Sequence, residues 1–355
     1  MNPAEFPLAL AYDDVLLVPR RSAVGSRQEV SLSTRLSRRI PLELPVLAAN
    51  MDTVCEWEMA VAMARMGGIG IIHRFLPVED HARQVERVKE TGEDLLVGAA
   101  LGVGEEMTRR AKSCVAAGVD VLVLDIAHGH AEHALRAVGL LKDEFPQVDL
   151  IAGNVATGQG AVDLVRAGAD AVKVGVGPGG VCTTRVVTGV GVPQVTALYD
   201  VVQAAVGAPI IADGGIRAGG DIAKALALGA DSVMVGSLLA GTRESPGEVE
   251  ETSTGPVKRV RGMASQEAAV LRAARRGAEL EDEYFEHRSP EGIESTVAYL
   301  GTAADVIRPL MGGVRSAMSY LGATDLAAFR RNARFVRTTP AGVAESHPHA
   351  SKQGR

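Results

Sequence analysis

The feature that most restricts how this chain can fold is an alternation repeated along most of its length. Short β-branched runs recur: PVLAAN (45–50), GIGIIH (68–73), LLVGAA (95–100), VLVLDIA (121–127), DLIAGN (149–154), AVKVGV (171–176), PIIADGG (209–215) and DSVMVGS (231–237). The segments between them, such as WEMAVAMARM and VEDHARQVERVKE, carry apolar residues at helical spacing,. Three of the helical segments end alike, in Ala117-Gly118-Val119-Asp120, Ala167-Gly168-Ala169-Asp170 and Leu228-Gly229-Ala230-Asp231, where a glycine caps the helix and a buried strand begins at once,. Eight strand–helix units predict a closed (β/α)8 TIM barrel. The competing fold, an open doubly wound sheet, would show a GxGxxG turn after the first strand, and none is there,. With 355 residues, of which 46% are hydrophobic, the chain can fill one large barrel domain spanning 1–355,.

Two stretches depart from the alternation. Between Ser237 and the last helical pattern (303–321) lies an insertion of about 60 residues, much longer than an ordinary strand–helix loop,. At the C-terminal face of a barrel, where chemistry takes place, it reads as a mobile active-site flap over about 245–300. The end of the chain, about 341–355, is small, polar and basic, and is expected to be ordered only where another subunit holds it,.

Lys+Arg 37 against Asp+Glu 43 gives a net charge of −6, which argues against nucleic acid and anionic membranes as partners,. No apolar run reaches the roughly 18 residues that a membrane helix needs, and the start of the chain lacks the pattern of a signal peptide,. A cytoplasmic protein is expected. Cys55, Cys114 and Cys182 show no CxxC or Cys/His spacing, so neither structural zinc nor a disulfide framework is expected,. His128 and His130 read as ordinary loop histidines, with no third metal ligand in a suitable pattern,.

Chemistry concentrates on the loops after the sixth, seventh and eighth strands. In Gly175-Val-Gly-Pro-Gly-Gly-Val-Cys182-Thr-Thr184-Arg, the glycines let backbone approach a ligand closely and set Cys182 at the tip beside two hydroxyls,. That setting suits a nucleophilic thiol, whereas Cys55 and Cys114 sit in apolar helical patterns and read as small core residues,. Asp213-Gly214-Gly215 and Gly236-Ser237 occupy the strand ends where barrels commonly bind phosphate, with Asp213 able to accept from ribose hydroxyls,. Asp125 and Asn154, ending the fourth and fifth strands, face the same mouth. An unrelated phosphate-binding barrel such as an aldolase would need a lysine or paired carboxylates at strand ends, and Lys173 lies inside the sixth strand, a less suitable place.

Beyond these features, ten segments occur in order over nearly the whole chain: YDDVLLVP, AANMDTV, GNVATG, GVGPGGVCTTR, TGVGVPQ, ADGGI, GMAS, PEGIE, GGVRSAMSYLGA and ESHPH. In them the chain resembles the family of inosine monophosphate dehydrogenase and guanosine monophosphate reductase. The resemblance implies a barrel enzyme, usually a homotetramer, that binds a purine mononucleotide and a nicotinamide dinucleotide, NADPH or NAD(H). It implies that Cys182 attacks C2 of the purine to give a covalent thioimidate, with Thr184 and Glu291 relaying protons. Asp213, Gly215, Gly236 and Ser237 would hold ribose and phosphate, Met263 and Ala264 would line the base pocket, and Asp125 and Asn154 would lie on the nicotinamide side. The carbonyls of Gly177, Gly179 and Cys182 match those that bind a monovalent cation such as potassium in the dehydrogenases, helped there by a neighbour's tail, here Glu345, Ser346 and His347.

The family runs two opposed reactions. The regulatory CBS modules usual in dehydrogenases are missing, since Lys89 to Leu95 pass straight into the third strand. The dehydrogenase flap carries an Arg-Tyr pair whose arginine activates the hydrolytic water; here Glu283 precedes Tyr284, and a carboxylate cannot copy a guanidinium,. The segment EHRS between Phe285 and Pro290 also resembles a shortened flap, leaving His287 and Arg288 as substitute bases. AANMDTV and HAEH (130–133) look like the reductases, whereas DIAHGH, RVVTGVGVPQ and the ESHPH tail look like the dehydrogenases. Val260 stands where both branches usually have an aromatic residue near the phosphate. The loss of the arginine touches chemistry, so reduction of guanosine monophosphate to inosine monophosphate and ammonia is the expected activity, with oxidation of inosine monophosphate by NAD as the alternative. A silent nucleotide-binding paralogue is a third reading, opposed by the presence of Cys182, Thr184 and Glu291 together.

Overall fold

Alternation of inward and outward side chains closes the expected barrel. The computed structural model describes residues 6–275 and 289–348. Its eight parallel strands are β1 Val46–Ala48, β2 Ile69–Ile72, β3 Val97–Leu101, β4 Val121–Asp125, β5 Asp149–Val155, β6 Ala171–Val174, β7 Ile210–Asp213 and β8 Ser232–Val235, each paired with the next and β8 with β1. Around them run α1 Trp57–Arg65, α2 Val78–Thr91, α3 Met107–Ala116, α4 Glu132–Glu144, α5 Gly158–Arg166, α6 Gln194–Gln203, α7 Gly219–Leu228 and α8 Ala303–Tyr320. Two apolar cores result. Leu47, Ile69, Ile71, Ala100, Val121, Val123, Ile151, Ala171, Ile211 and Met234 fill the barrel. Their alternates, such as Val46, Ile72, Leu122, Leu150, Val172 and Ala212, face the helices,. A hairpin pairing Thr34–Arg35 with Pro41–Leu42 adds Leu36 and Leu42 to the inner core. Ser37 and Arg39 of this hairpin bond Asp149 at the start of β5, so it plugs the N-terminal end.

The three glycine-aspartate endings have one structural task. Gly118, Gly168 and Gly229 take φ of +88°, +116° and +123°, a left-handed turn that a side chain would strain,. The aspartate that follows turns back to the preceding strand. Asp120 accepts from Val97 N and Lys89 Nζ, both at 2.8 Å. Asp170 accepts from Leu150 N at 2.9 Å and Lys142 Nζ at 2.8 Å. Asp231 accepts from Ile210 N at 2.8 Å and Arg330 Nη2 at 2.9 Å.

The long insertion is more regular than the sequence suggests. β9 Glu250–Thr252, β10 Gly255–Arg261 and β11 Glu294–Ala298 form an antiparallel sheet, and Gln266–Ala274 form a helix capped by the Ser265 side chain. Lys258 of β10 is buried and donates to Thr242 O at 3.0 Å and Ser245 O at 2.5 Å. Arg261 lies 3.0 Å from Asp52 on the loop after β1, tying the sheet to the barrel. The flanks of the expected flap are therefore packed structure, anchored where Lys258 and Val260 of β10 turn inward and Arg261 reaches Asp52. Residues 276–288, with Glu283, Tyr284, His287 and Arg288, lie outside the described residues.

Just ahead of the stretch 341–355 the chain folds back on its own beginning; of that stretch residues 341–348 are described, and 349–355 lie outside the described residues. Phe335–Arg337 pairs antiparallel with Val15–Leu17, Thr338 N donates to Asp14 O at 2.9 Å, and Thr339 caps a helix over Pro340–Glu345. A proline at the helix start and a hydroxyl cap favour that short helix,. No helix among the described residues is long and apolar enough to cross a membrane.

Candidate active site

The Cys182 loop folds as it does because its glycines stand where no side chain would fit. A Cβ on Gly175, at φ +151°, would lie 2.0 Å from the Asp213 carbonyl oxygen. The loop then packs on the neighbouring strand ends: Pro178 lies against Gly214, and Gly180 faces the Ser237 hydroxyl. On its other side it is laced to the returning end of the insertion. Thr183 N donates to Glu291 O at 2.9 Å, Ile293 N to Val181 O at 3.0 Å, and Glu291 N to Ala264 O at 3.0 Å. One backbone network thus brings Met263, Ala264 and Glu291 to Cys182 and Thr184, about 80 to 110 residues before them in the chain,.

Cys182 differs from the other two thiols. It is half-buried, with Sγ 3.1 Å from Thr184 Oγ1 at the start of the one-turn helix Thr184–Thr188. Cys55 and Cys114 are fully buried, as small core residues. Burial pushes the Cys114 thiol up to about 12 and drives that of Cys55 higher still, which disfavours the thiolate at both,.

Beneath the mouth, the top inward-facing layer of the barrel is polar. Lys173 shares the inner face of β6 with Ala171, and its ammonium lies 2.7 Å from Asp125 and 2.5 Å from Asp213. It also donates to the Asn154 side-chain oxygen. The Asn154 amide donates to Asp213 at 2.9 Å and to Gly175 O at 2.7 Å, and Asn50 donates to Asp125 at 2.9 Å. Burial alone would raise the Asp125 carboxyl, but the Lys173 charge and the Asn50 hydrogen bond hold it below the ordinary carboxylate range,. Burial likewise opposes the Lys173 ammonium, and the two carboxylates outweigh it and raise its pKa. In the sequence Lys173 reads as a residue inside the sixth strand. The structure places it at the centre of the expected site, where it fixes both Asp125 and Asp213. The period-2 rule could have found it, since Asp125, Lys173 and Asp213 each stand two residues beyond an inward apolar residue, Val123, Ala171 and Ile211,.

Two open cavities flank the Cys182 loop. One, of about 430 Å³, is lined by Tyr12, Pro178, Gly180, Gly215 and Ser237, which collects residues expected to hold phosphate. The other, of about 560 Å³, is lined by Arg74, Phe75, Met263, Ala264, Arg272 and Glu291. Arg74 and Arg272 also line a third space of about 460 Å³ with Gly102 to Met107 and Arg110. Guanidiniums along both cavities suit the pyrophosphate of a dinucleotide. His130 is paired with Asp163 of α5 at 2.9 Å.

Residues 9–349 match the family profile of the IMP dehydrogenase / GMP reductase domain. The chain belongs to that family. It is 39% identical to the inosine-5'-monophosphate dehydrogenase of Nitrosopumilus maritimus, covering 97% of this chain and 99% of that one. Their alignment runs over 471 positions against 355 residues here, so the relative carries a segment that this chain lacks. The GMP reductase of Leishmania donovani is 37% identical, with 97% of each chain covered. The structure of a GMP reductase variant from Trypanosoma brucei, in complex with guanosine 5'-monophosphate, superposes with a TM-score of 0.90 at 35% identity, covering 98% of this chain and 99% of that one. The protein is thus an oxidoreductase of purine nucleotide metabolism, in a family that works with nicotinamide dinucleotides.

Proposed function

We propose that the chain, as a single catalytic domain, converts guanosine monophosphate to inosine monophosphate and ammonia with NADPH. The observation that carries the direction is Glu283, which stands where the resemblance calls for a water-activating arginine. Reductive deamination needs no activated water. It needs a nucleophile, a proton donor for the departing amine and a hydride. The Cys182 thiolate adds to C2 of the purine, and the 2-amino group leaves as ammonia after taking a proton from the Thr184–Glu291 pair, leaving a thioimidate. The dinucleotide supplies the hydride when bound. C2 accepts that hydride and the C2–S bond breaks, returning the thiolate. The 3.1 Å contact between Cys182 and Thr184 and the backbone lacing of Glu291 to the same loop support these roles,.

Asp213, Gly215, Gly236 and Ser237 serve ribose and phosphate in this reading, Met263 and Ala264 flank the base, and Asp125 and Asn154, fixed by Lys173, orient the nicotinamide. The guanidiniums along the second cavity take the dinucleotide's pyrophosphate. For a monovalent cation, the Gly177 and Cys182 carbonyls accept no hydrogen bond from the described residues, while that of Gly179 accepts from Cys182 N at 3.1 Å and keeps one lone pair,. Those donors fit a potassium ion, with Glu345 to His347 of another subunit of a homotetramer completing the set.

The test is absorbance at 340 nm. Guanosine monophosphate with NADPH should consume dinucleotide and release ammonia, and inosine monophosphate with NAD should yield little xanthosine monophosphate. Steady xanthosine monophosphate formation at an equal or higher rate would establish the dehydrogenase instead. That second reading is favoured by the DIAHGH and ESHPH segments and would make His287 or Arg288 the base.

A further inference from the structure

Tyr12 is 2% exposed, on a single 3-10 turn far in sequence from every loop of the site. Its phenol oxygen is buried and has no hydrogen-bond partner among the described residues. An unmet polar group in a protein interior is costly, and a native structure that keeps one commonly has a use for it. The ring lies against Gly215, whose Cβ position would be 3.4 Å from Tyr12 Cε2, and lines the cavity shared with Pro178, Gly180, Gly215 and Ser237.

We propose that the Tyr12 hydroxyl donates a hydrogen bond to the phosphate of the bound purine mononucleotide. The inference rests on the mononucleotide reading above and adds a ligand from outside the strand-end loops. Three features of the surroundings agree with it. Burial first, then the nearby Asp221 and Asp213 charges, raise the phenol's pKa and keep it neutral, so it meets a phosphate as a donor and never as a second anion,. Arg217 lines the same cavity and neutralises Asp13 there at 2.5 Å, so that carboxylate does not oppose an anionic ligand. The turn carrying Tyr12 is held in place, with Lys224 Nζ donating to Tyr12 O at 2.9 Å and Ala11 N to Asp14 Oδ2 at 2.7 Å. The donor is therefore pre-positioned.

Tyr12→Phe removes the hydroxyl and leaves the ring packing intact. Titration calorimetry of the full-length wild type and variant with guanosine 5'-monophosphate, and with guanosine, should show mononucleotide affinity lowered about 10- to 100-fold, the loss of one hydrogen bond to a charged group, with guanosine affinity unchanged. The thermal midpoint of the unliganded variant should equal or exceed that of the wild type, because an unmet donor has been removed. Equal loss for nucleotide and nucleoside, or no loss for either, overturns the inference. So does a lower midpoint with unchanged nucleotide affinity, which would make the hydroxyl structural. Failure of the wild type to bind any purine mononucleotide would overturn the functional reading itself, a result distinct from the variant's behaviour.

Discussion

The two ends of the barrel use the same chemical pair to different purpose. At the N-terminal face, Asp120 and Asp170 each hold a lysine at 2.8 Å and spend their remaining acceptors on the backbone of the neighbouring strand. Lys89 and Lys142 there are 19% exposed at the side chain. At the C-terminal mouth, Lys173 is 2% exposed and sits between Asp125 and Asp213, whose carboxylates also accept from the amide side chains of Asn50 and Asn154. The lower pairs finish a hydrogen-bonding pattern begun by the backbone. The upper trio is held clear of the backbone, so that its carboxylates are fixed in place and still able to meet a ligand. An ion pair that bonds main chain thus reads as architecture, and one suspended among side chains at a strand end reads as machinery.

Substitutions at the two ends test that contrast. The largest effect is expected above the trio. Cys182→Ser should lower turnover more than about 100-fold while mononucleotide binding largely survives, measured by steady-state rates and calorimetry; retention of more than a few per cent of activity would remove the covalent step. Glu291→Gln should cost about 10²–10⁴ in rate with little change in binding.

Next comes the trio itself. Lys173→Met removes the buried cation that Asp125 and Asp213 share, and the stability measured by denaturant midpoint should fall by about 3–5 kcal/mol, with activity lost alongside,. A loss comparable to that of a surface pair would erase the distinction between the ends.

The pH dependence sharpens it further. In the wild type the Asp125 carboxyl is held below its ordinary value, so its contribution is present above about pH 4 and declines as pH falls through the folded pKa,. Lys173 has a raised pKa, so its contribution persists up to strongly alkaline pH,. In Lys173→Met the Asp125 carboxyl keeps the burial that raises it and loses the ammonium that lowers it, so it should titrate above its unfolded value, and that variant should gain stability relative to wild type between about pH 7 and 5,. A gap independent of pH would show that the trio carries no charge coupling. The smallest effect belongs to Lys89→Met, expected to cost no more than about 1 kcal/mol and to leave the rate unchanged.

Much of this was legible in the sequence because it depends on local spacing. All eight β-branched runs coincide with barrel strands, and the three glycine-aspartate endings coincide with left-handed turns. The Cys182 loop, its glycines and the strand-end residues Asp213, Gly215 and Ser237 could be singled out because turn chemistry is written in consecutive residues. What escaped depends on three-dimensional closure. Lys173 stands out only against the inward alternation of three separate strands, β4, β6 and β7. Tyr12 lies 225 positions before Ser237 in the numbering, and nothing near it announces a ligand. The sheet of the insertion pairs residues about 35 positions apart, such as Arg259 with Thr296, which no local pattern reveals,.

The pairing of Val15–Leu17 with Phe335–Arg337 acts as a splint: the strand that follows the Tyr12 turn takes its strand partner from the far end of the chain, with Asp14 O receiving Thr338 N. A protease nick near residue 333 should therefore register first as weakened hold on the nucleotide's phosphate and only later as loss of the barrel, making substrate affinity a reporter of damage at the opposite terminus.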